Sequence, residues 1–394
     1  MAKKKCEVLV LNNVAQVGLK RFPAERYAVV KESKDPWAIL VRSADLHKHE
    51  FGPSLRAVGR AGAGVNNIPV RELSRRGIPV FNAPGANANA VKELVLAGML
   101  IAARNLAPAL EFVSRQEESP DFEKKIEDGK KQFAGFELPG HTLGVIGLGK
   151  IGSLVADAAI KLGMNVLGYD PHITVESAWS LPSQVRRASS VDEVLKASHF
   201  VTLHIPLMEK TRNTINVKSL AYLKEGAVLL NFSRDGIVAE EAVKAGLESG
   251  KLKWYVTDFP SPGLLGAKGI IALPHLGAST GEAEDNSAVM VVDELREYLE
   301  NGNLQNAVNF PDAAMPREAP YRLAIANANV PDMLGRISHT LGKRKINIHN
   351  MLNKSKGDMA YTLVDTDAPV VAEALKELED LTGVLAVRYL PVSD

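Results

Sequence analysis

The run Leu143-Gly144-Val145-Ile146-Gly147-Leu148-Gly149-Lys150-Ile151-Gly152 leaves few folds open to the 394-residue chain that carries it. Short and apolar, it turns through Gly147, Gly149 and Gly152 and then takes on helical periodicity, the order of a strand, a tight turn and a helix N-terminus. Gly147 permits the turn, Gly149 lets backbone approach a pyrophosphate, and Gly152 lets helix and strand pack closely, with the helix amides facing the phosphates. A second apolar run, Asn165 to Tyr169, ends at Asp170, 18 positions after Gly152. A carboxylate there accepts hydrogen bonds from the adenosine ribose and repels a 2′-phosphate, so NAD is the expected cofactor rather than NADP.

Composition narrows the surroundings of this motif. A formal charge of +1 supplies no broad field for nucleic acid or an anionic membrane, and the Lys3-Lys4-Lys5 run reads as a solvated start. One cysteine, Cys6, excludes an internal disulfide framework and a cysteine metal cluster, and fits a reducing compartment. No secretory signal is visible, and the apolar stretch Leu94 to Ala103 is too short to span a bilayer, so a cytoplasmic protein is expected.

Before the glycine motif, the segments Glu7 to Leu11, Tyr27 to Val30, Ala38 to Val41, Leu55 to Val58 and Ile78 to Phe81 alternate with helical or turn-like spacers, which predicts a parallel sheet. Two loops follow the last two of these strands, Gly59 to Asn67 and Asn82 to Asn87. Each reads equally as a ligand loop at a strand's carboxyl end or as a tight turn. One long helix is expected from Ala90 through Val113, then a charged excursion without strong periodicity at Lys124 to Gln132. After the motif come strands at Asn165 to Asp170, His199 to Ile205, Ala227 to Asn231, Tyr255 to Phe259 and Ile270 to Leu273, then a helix from Glu282 to Leu299. Residues 309–320 hold three prolines and read as a linker, which makes the tail from Tyr321 an add-on of βαββαβ pattern.

Asn231-Phe232-Ser233-Arg234-Asp235-Gly236, Thr257-Asp258-Phe259-Pro260 and Leu273-Pro274-His275-Leu276-Gly277-Ala278-Ser279-Thr280 all fall where strands of the nucleotide domain end. With Gly62-Ala63-Gly64-Val65-Asn66-Asn67, they resemble the D-isomer-specific 2-hydroxyacid dehydrogenases, and the segment from Pro274 to Thr280 is the most specific of the four. The tail resembles the regulatory ACT domain. The implied fold is α/β: two doubly wound parallel-sheet domains, a discontinuous substrate domain and a Rossmann NAD domain, with a ferredoxin-like ACT domain at the C-terminus. The expected boundaries are 1–95 and 283–310 for the substrate domain, 96–282 for the NAD domain, 311–320 for the linker and 321–394 for the tail.

The resemblance also implies roles. His275 matches the catalytic histidine that exchanges a proton with the substrate hydroxyl, and Arg234 matches the arginine that holds the substrate carboxylate. Cofactor contacts carry over to Gly147, Gly149, Lys150, Ile151, Gly152, Asp170, His204, Pro206, Phe232, Ser233, Asp258, His275 and Gly277. Substrate contacts fall on Arg42, Ser43, Arg60, Ala63 and Gly64, and the two arginines point to a phosphorylated substrate; Lys131 reads as a solvated surface lysine or as a further cation reaching over from a neighbouring subunit. In the tail, Asn327, Asn329 and Asn347 match effector positions for L-serine, and Asp332 stands where the ACT pattern commonly has glycine. The chain departs from the family after Asp258, where no glutamate is available to pair with His275. The implied reaction is NAD-dependent oxidation of 3-phospho-D-glycerate to 3-phosphohydroxypyruvate, opening serine biosynthesis, by a homodimer or homotetramer. The alternatives are a dehydrogenase of another D-2-hydroxy acid and a nucleotide-sensing protein without turnover. No metal, nucleic acid or membrane partner is expected.

Overall fold

The computed structural model describes residues 5–392, so Lys3 and Lys4 of the basic run lie outside the described residues. The chain divides into two compact units, Met1–Asn87 with Gly281–Asp394, and Ala88–Thr280.

The first unit begins with five parallel strands, β1 (Cys6–Leu11), β2 (Tyr27–Val30), β3 (Ala38–Val41), β4 (Ala57–Arg60) and β5 (Val80–Asn82), in the order β2-β1-β3-β4-β5. Successive residues of β3 serve opposite faces: Ala38 and Leu40 join one apolar cluster, Ile39 and Val41 another. Burial on both faces is why the strand reads as a continuous apolar run. The helix Gly281–Asn301 covers one face through Ala288, Val291, Val292 and Leu295.

The second unit holds seven parallel strands: β6 (Thr142–Ile146), β7 (Asn165–Tyr169), β8 (Arg186–Arg187), β9 (Phe200–Leu203), β10 (Ala227–Asn231), β11 (Leu252–Thr257) and β12 (Ile270–Ala272). Their order is β12-β11-β10-β9-β6-β7-β8. Sequence order reverses at β6, which opens a crevice at the strands' carboxyl ends. Val228 and Leu230 of β10 face one side, with Val91, Val95 and Met99 of the helix Ala88–Ala103, and Leu229 faces the other.

Two expectations need correction here. The single helix expected from Ala90 to Val113 is two helices, Ala88–Ala103 and Leu106–Ser114, bent by 69°. The break is at Asn105, whose φ of 50° lies in the left-handed region and whose buried amide donates to the Ala134 carbonyl at 2.9 Å. The charged stretch expected as an irregular excursion contains the helix Phe122–Gly129, with Lys125 paired to Asp121 one turn back. Among the described residues no single helix is long and apolar enough to cross a membrane.

The tail forms an antiparallel sheet, β14-β15-β13-β16, from β13 (Tyr321–Ala328), β14 (Ile348–Lys356), β15 (Met359–Thr366) and β16 (Val384–Pro391). Leu323, Ile325 and Val364 pack on the helices Met333–Lys343 and Ala372–Glu379. The alternate residues Ala324, Ala326, Tyr361 and Leu363 point the other way, into the same cluster as Val8, Phe81 and Leu295. The segment expected as a linker is packed too, with Phe310, Ala313, Met315 and Ala319 buried. The tail is therefore continuous with the first unit and is not an add-on.

Polar side chains fix that junction. Arg322 and Asp365, both fully buried, form a two-point pair at 2.6 and 2.8 Å. Arg322 also donates to the carbonyls of Asn301 and Pro316, Arg388 to those of Tyr298 and Leu299, and the Tyr361 hydroxyl to that of Gly302. Carbonyls in the last turn of the helix Gly281–Asn301 thus find donors in the tail. Asp365→Asn is expected to cost about 3–5 kcal/mol, since it leaves a buried guanidinium without its counter-charge, and ending the chain within 311–320 is expected to destabilise the first unit. Thermal unfolding of both variants measures these effects.

Candidate active site

Six strand ends bring the predicted cofactor residues of the second unit to one edge of its sheet. After β6, Gly147 has φ 93°, and a Cβ there would overlap the His204 carbonyl. A Cβ on Gly152 would overlap the Gly147 carbonyl, whereas one on Gly149 would meet nothing within 4 Å. Two glycines are thus demanded by close backbone, while the third borders open space. Gly149 is also the N-cap of the helix Lys150–Lys161, which has no side-chain cap; Ile151 follows in its first turn. Asp170, after β7, accepts from the Leu148 amide at 2.9 Å through Oδ2 and from the His172 amide through Oδ1, so the carboxylate is tied to the glycine loop.

After β9, His204 places Nε2 at 3.0 Å from the Thr202 hydroxyl, and its buried Nδ1 has no partner. Burial pushes its pKa down to about 3. Pro206 follows, its carbonyl accepting from Thr211. After β10, Phe232 and Ser233 are buried, and the Ser233 hydroxyl donates to the Ile205 carbonyl at 2.9 Å. The Asn231 side chain accepts from the Ser233 amide and donates to the Arg234 carbonyl. That turn leaves the Arg234 guanidinium exposed, with Nη1 donating to the Ser233 carbonyl.

Asp258, after β11, is 1% exposed. Its Oδ2 accepts from the Gly277 amide at 2.9 Å, while Oδ1 is buried without a partner. Burial raises its pKa, partly offset by the Gly277 bond and by the nearby His275 and Arg234. An orphaned acceptor this deep fits a ligand that brings a hydrogen-bond donor. His275, after β12, has φ 39°, in the left-handed region, where strain costs about 1–3 kcal/mol and collects at functional sites. Its amide donates to the Asp258 carbonyl at 2.9 Å, and its exposed ring lies 4.7 Å from that of Phe259. Among the described residues no carboxylate is hydrogen-bonded to that ring.

The first unit's predicted substrate residues also follow strands. Arg42 and the exposed Ser43 come after β3, and Arg60 ends β4. Arg60 donates to the carbonyls of Arg42 and Gly64 at 3.0 and 2.6 Å, so two of its N–H groups shape the loop holding Ala63 and Gly64. Arg42 is ion-paired with Glu284 at 2.6 Å. Asn82 donates to the Ala63 carbonyl and the Ala83 amide to that of Gly62. Lys131 is exposed in the second unit.

The three asparagines of the tail do not form one cluster. Asn327 is buried, donating to the Ala328 carbonyl and accepting from Thr362; Asn329 donates to the Gly357 carbonyl at the hairpin tip. Asn347 bonds to Asp367, at the end of the sheet where Thr366 pairs with Tyr321. The roughly seven-residue run of β13 separates the two ends by about 20 Å. Within one chain these three residues therefore do not meet at a single point. Asp332, at φ 62°, adopts the left-handed conformation that explains glycine in the ACT pattern.

The sequence reading assigned no role to Asn231, Thr202, Asn82 or Glu284, although Asn231 opens one of the quoted motifs and Asn82 one of the candidate loops. Thr202 offered only its place next to a strand end, and Glu284 looked like an ordinary first-turn acid.

Residues 96–277 match the family described as D-isomer specific 2-hydroxyacid dehydrogenase, NAD binding domain. A D-3-phosphoglycerate dehydrogenase of Methanocaldococcus jannaschii is 36% identical over 78% of this chain, which spans only 58% of that protein's length. One from Haemophilus influenzae is 32% identical, covering 86% of this chain and 82% of its own. The solved structure of NAD+-bound 3-phosphoglycerate dehydrogenase of Entamoeba histolytica aligns with a TM-score of 0.60 at 25% identity, over 77% of this chain and 99% of that one. The chain belongs to the D-isomer-specific 2-hydroxyacid dehydrogenases, and its second unit carries their NAD-binding domain.

His204 makes acid stability a test of this geometry. Its folded pKa lies below the unfolded value of 6.5, so the unfolded chain takes up the proton first. The stabilisation from keeping the ring neutral is complete above about pH 6.5 and is lost as pH falls toward about 3. His204→Gln is expected to flatten the fall in melting temperature between pH 7 and 4.

Proposed function

We propose that the chain is an NAD-dependent dehydrogenase that interconverts 3-phospho-D-glycerate and 3-phosphohydroxypyruvate. The observation that carries this reading is the strained His275, fixed through its amide on the Asp258 carbonyl and standing at the same sheet edge as Arg234. Bound NAD would supply the acceptor for the hydride that leaves substrate C2. Gly147, Gly149, Gly152 and the first turn at Lys150 and Ile151 are the phosphate-facing residues, Asp170 takes the ribose hydroxyls, and Asp258 Oδ1 takes an amide donor of the nicotinamide. His275 takes the C2 hydroxyl proton during oxidation and returns it in the reverse direction. Arg234 holds the substrate carboxylate with its planar fork. The Phe259 ring lies beside the imidazole, and among the described residues no carboxylate is hydrogen-bonded to it.

Arg42 and Arg60 supply positive charge for the phosphate, with Ser43, Ala63 and Gly64 lining that end of the substrate. The pairing of Arg42 with Glu284 favours a second reading, a dehydrogenase of an unphosphorylated D-2-hydroxy acid. The tail is proposed as an ACT-type regulatory region with L-serine as effector, in a cytoplasmic homo-oligomer that opens serine biosynthesis.

Consumption of NADH with 3-phosphohydroxypyruvate, and separately with hydroxypyruvate, decides between the two substrate classes; activity on neither overturns the enzyme. His275→Ala is expected to bind NADH as the wild type does, by fluorescence titration, while turnover falls by about a hundred- to ten-thousandfold. Adding millimolar L-serine to the same assay is expected to slow the wild type.

A further inference from the structure

We propose that Glu284 is a specificity-determining residue, an exchange partner that holds Arg42 until a phosphate displaces it. The inference rests on the reading above, in which Arg42 meets the substrate phosphate.

The backbone at Arg42 is fixed and its side chain is not. The Arg42 carbonyl accepts from Arg60 Nε at 3.0 Å, and Asn67 donates to the neighbouring Ala44 carbonyl at 2.7 Å. The guanidinium has Glu284 as its one recorded partner among the described residues, through a single Nη2–Oε1 contact of 2.6 Å. Both side chains are about two-fifths exposed, at 39% and 41%. A one-point pair at that exposure is weakly held. A phosphate brings more charge and engages the guanidinium fork at two points, so it wins the exchange. A second carboxylate can also engage the fork at two points, but it brings no more charge than Glu284 and so gains little by displacing it. Glu284 thereby sets a threshold at Arg42 that a phosphate passes and a second carboxylate does not.

The released carboxylate keeps favourable surroundings. Glu284 lies in the first turn of the helix Gly281–Asn301, where the helix dipole favours negative charge. It also lines a groove with Lys20 and Lys31. When phosphorylated product leaves, Glu284 recaptures Arg42, so the exchange weakens phosphate binding and speeds release.

The test compares Glu284→Gln with the wild type on 3-phosphohydroxypyruvate and hydroxypyruvate, with melting temperature as the control for folding. Expected is a KM for the phosphorylated substrate lower by about two- to fivefold at low salt, narrowing as salt rises, and an unchanged KM for hydroxypyruvate. Equal shifts on both substrates, or none, overturn the exchange. Arg42→Met distinguishes the underlying reading. If it raises KM for the phosphorylated substrate alone and Glu284→Gln is then silent in that background, the exchange stands. If Arg42→Met leaves that KM unchanged, Arg42 does not meet the phosphate, and both the reading and the exchange fall. If Arg42→Met raises it while Glu284→Gln does nothing to the wild type, only the exchange falls.

Discussion

A parallel ladder gives every strand the same exit, and both units of this protein rest on that constraint. In the second unit β6, β7, β9, β10, β11 and β12 release the glycine loop, Asp170, His204, Arg234, Asp258 and His275 at one edge. Residues spread over more than a hundred positions of sequence become neighbours of a common crevice with no need for long connecting loops. The same rule places Arg42 and Arg60 after β3 and β4 of the first unit. The side chains that look structural in this arrangement, Asn231 and Thr202, are those that hold the exits in shape.

The tail obeys a different constraint. Its central strands bury both faces, and a sheet apolar on both sides must be covered on both sides. Two of its own helices cover one face, and the other is covered by the core of the first unit. The buried Arg322–Asp365 pair is tolerated there because further carbonyls satisfy the guanidinium. A signal that reaches this sheet is therefore applied to the helix Gly281–Asn301 directly, through Arg322, Arg388 and Tyr361.

Much of this was legible in the sequence where local rules decide. The glycine spacing, the apolar runs and the βαββαβ order follow from steric and periodic requirements that neighbouring residues carry themselves. What failed was set by distant partners. The break at Asn105 depends on bonds to Ala134 and Trp254, although Pro108 three residues on is a helix-start signal in the sequence. The stretch 309–320 looked like a linker because prolines and few apolar residues give no periodicity, yet Phe310, Ala313 and Met315 find a core built from far-off strands. Tyr321–Ala328 did carry a warning: a nearly unbroken apolar strand with Arg322 inside it predicts cover on both sides and a buried counter-ion. At the site, Arg42 and Arg60 were read as available charge, and only the fold reveals what already occupies them.

Asn309 accepts from the Val80 amide and donates to the Ile78 carbonyl, and Val308 donates to the carbonyl of Val80, so the last strand of the first sheet is completed by chain that follows the second unit in sequence. This has a consequence during synthesis. Residues 1–87 leave the ribosome without the segment that edges β5 and without Arg388. The intervening residues Ala88–Thr280 can close their own sheet in the meantime. At about 5–20 residues per second the nascent first unit waits on the order of 10–60 s with apolar strand surface uncovered. That interval makes it, and not the nucleotide-binding unit, the natural client of a chaperone acting on the growing chain.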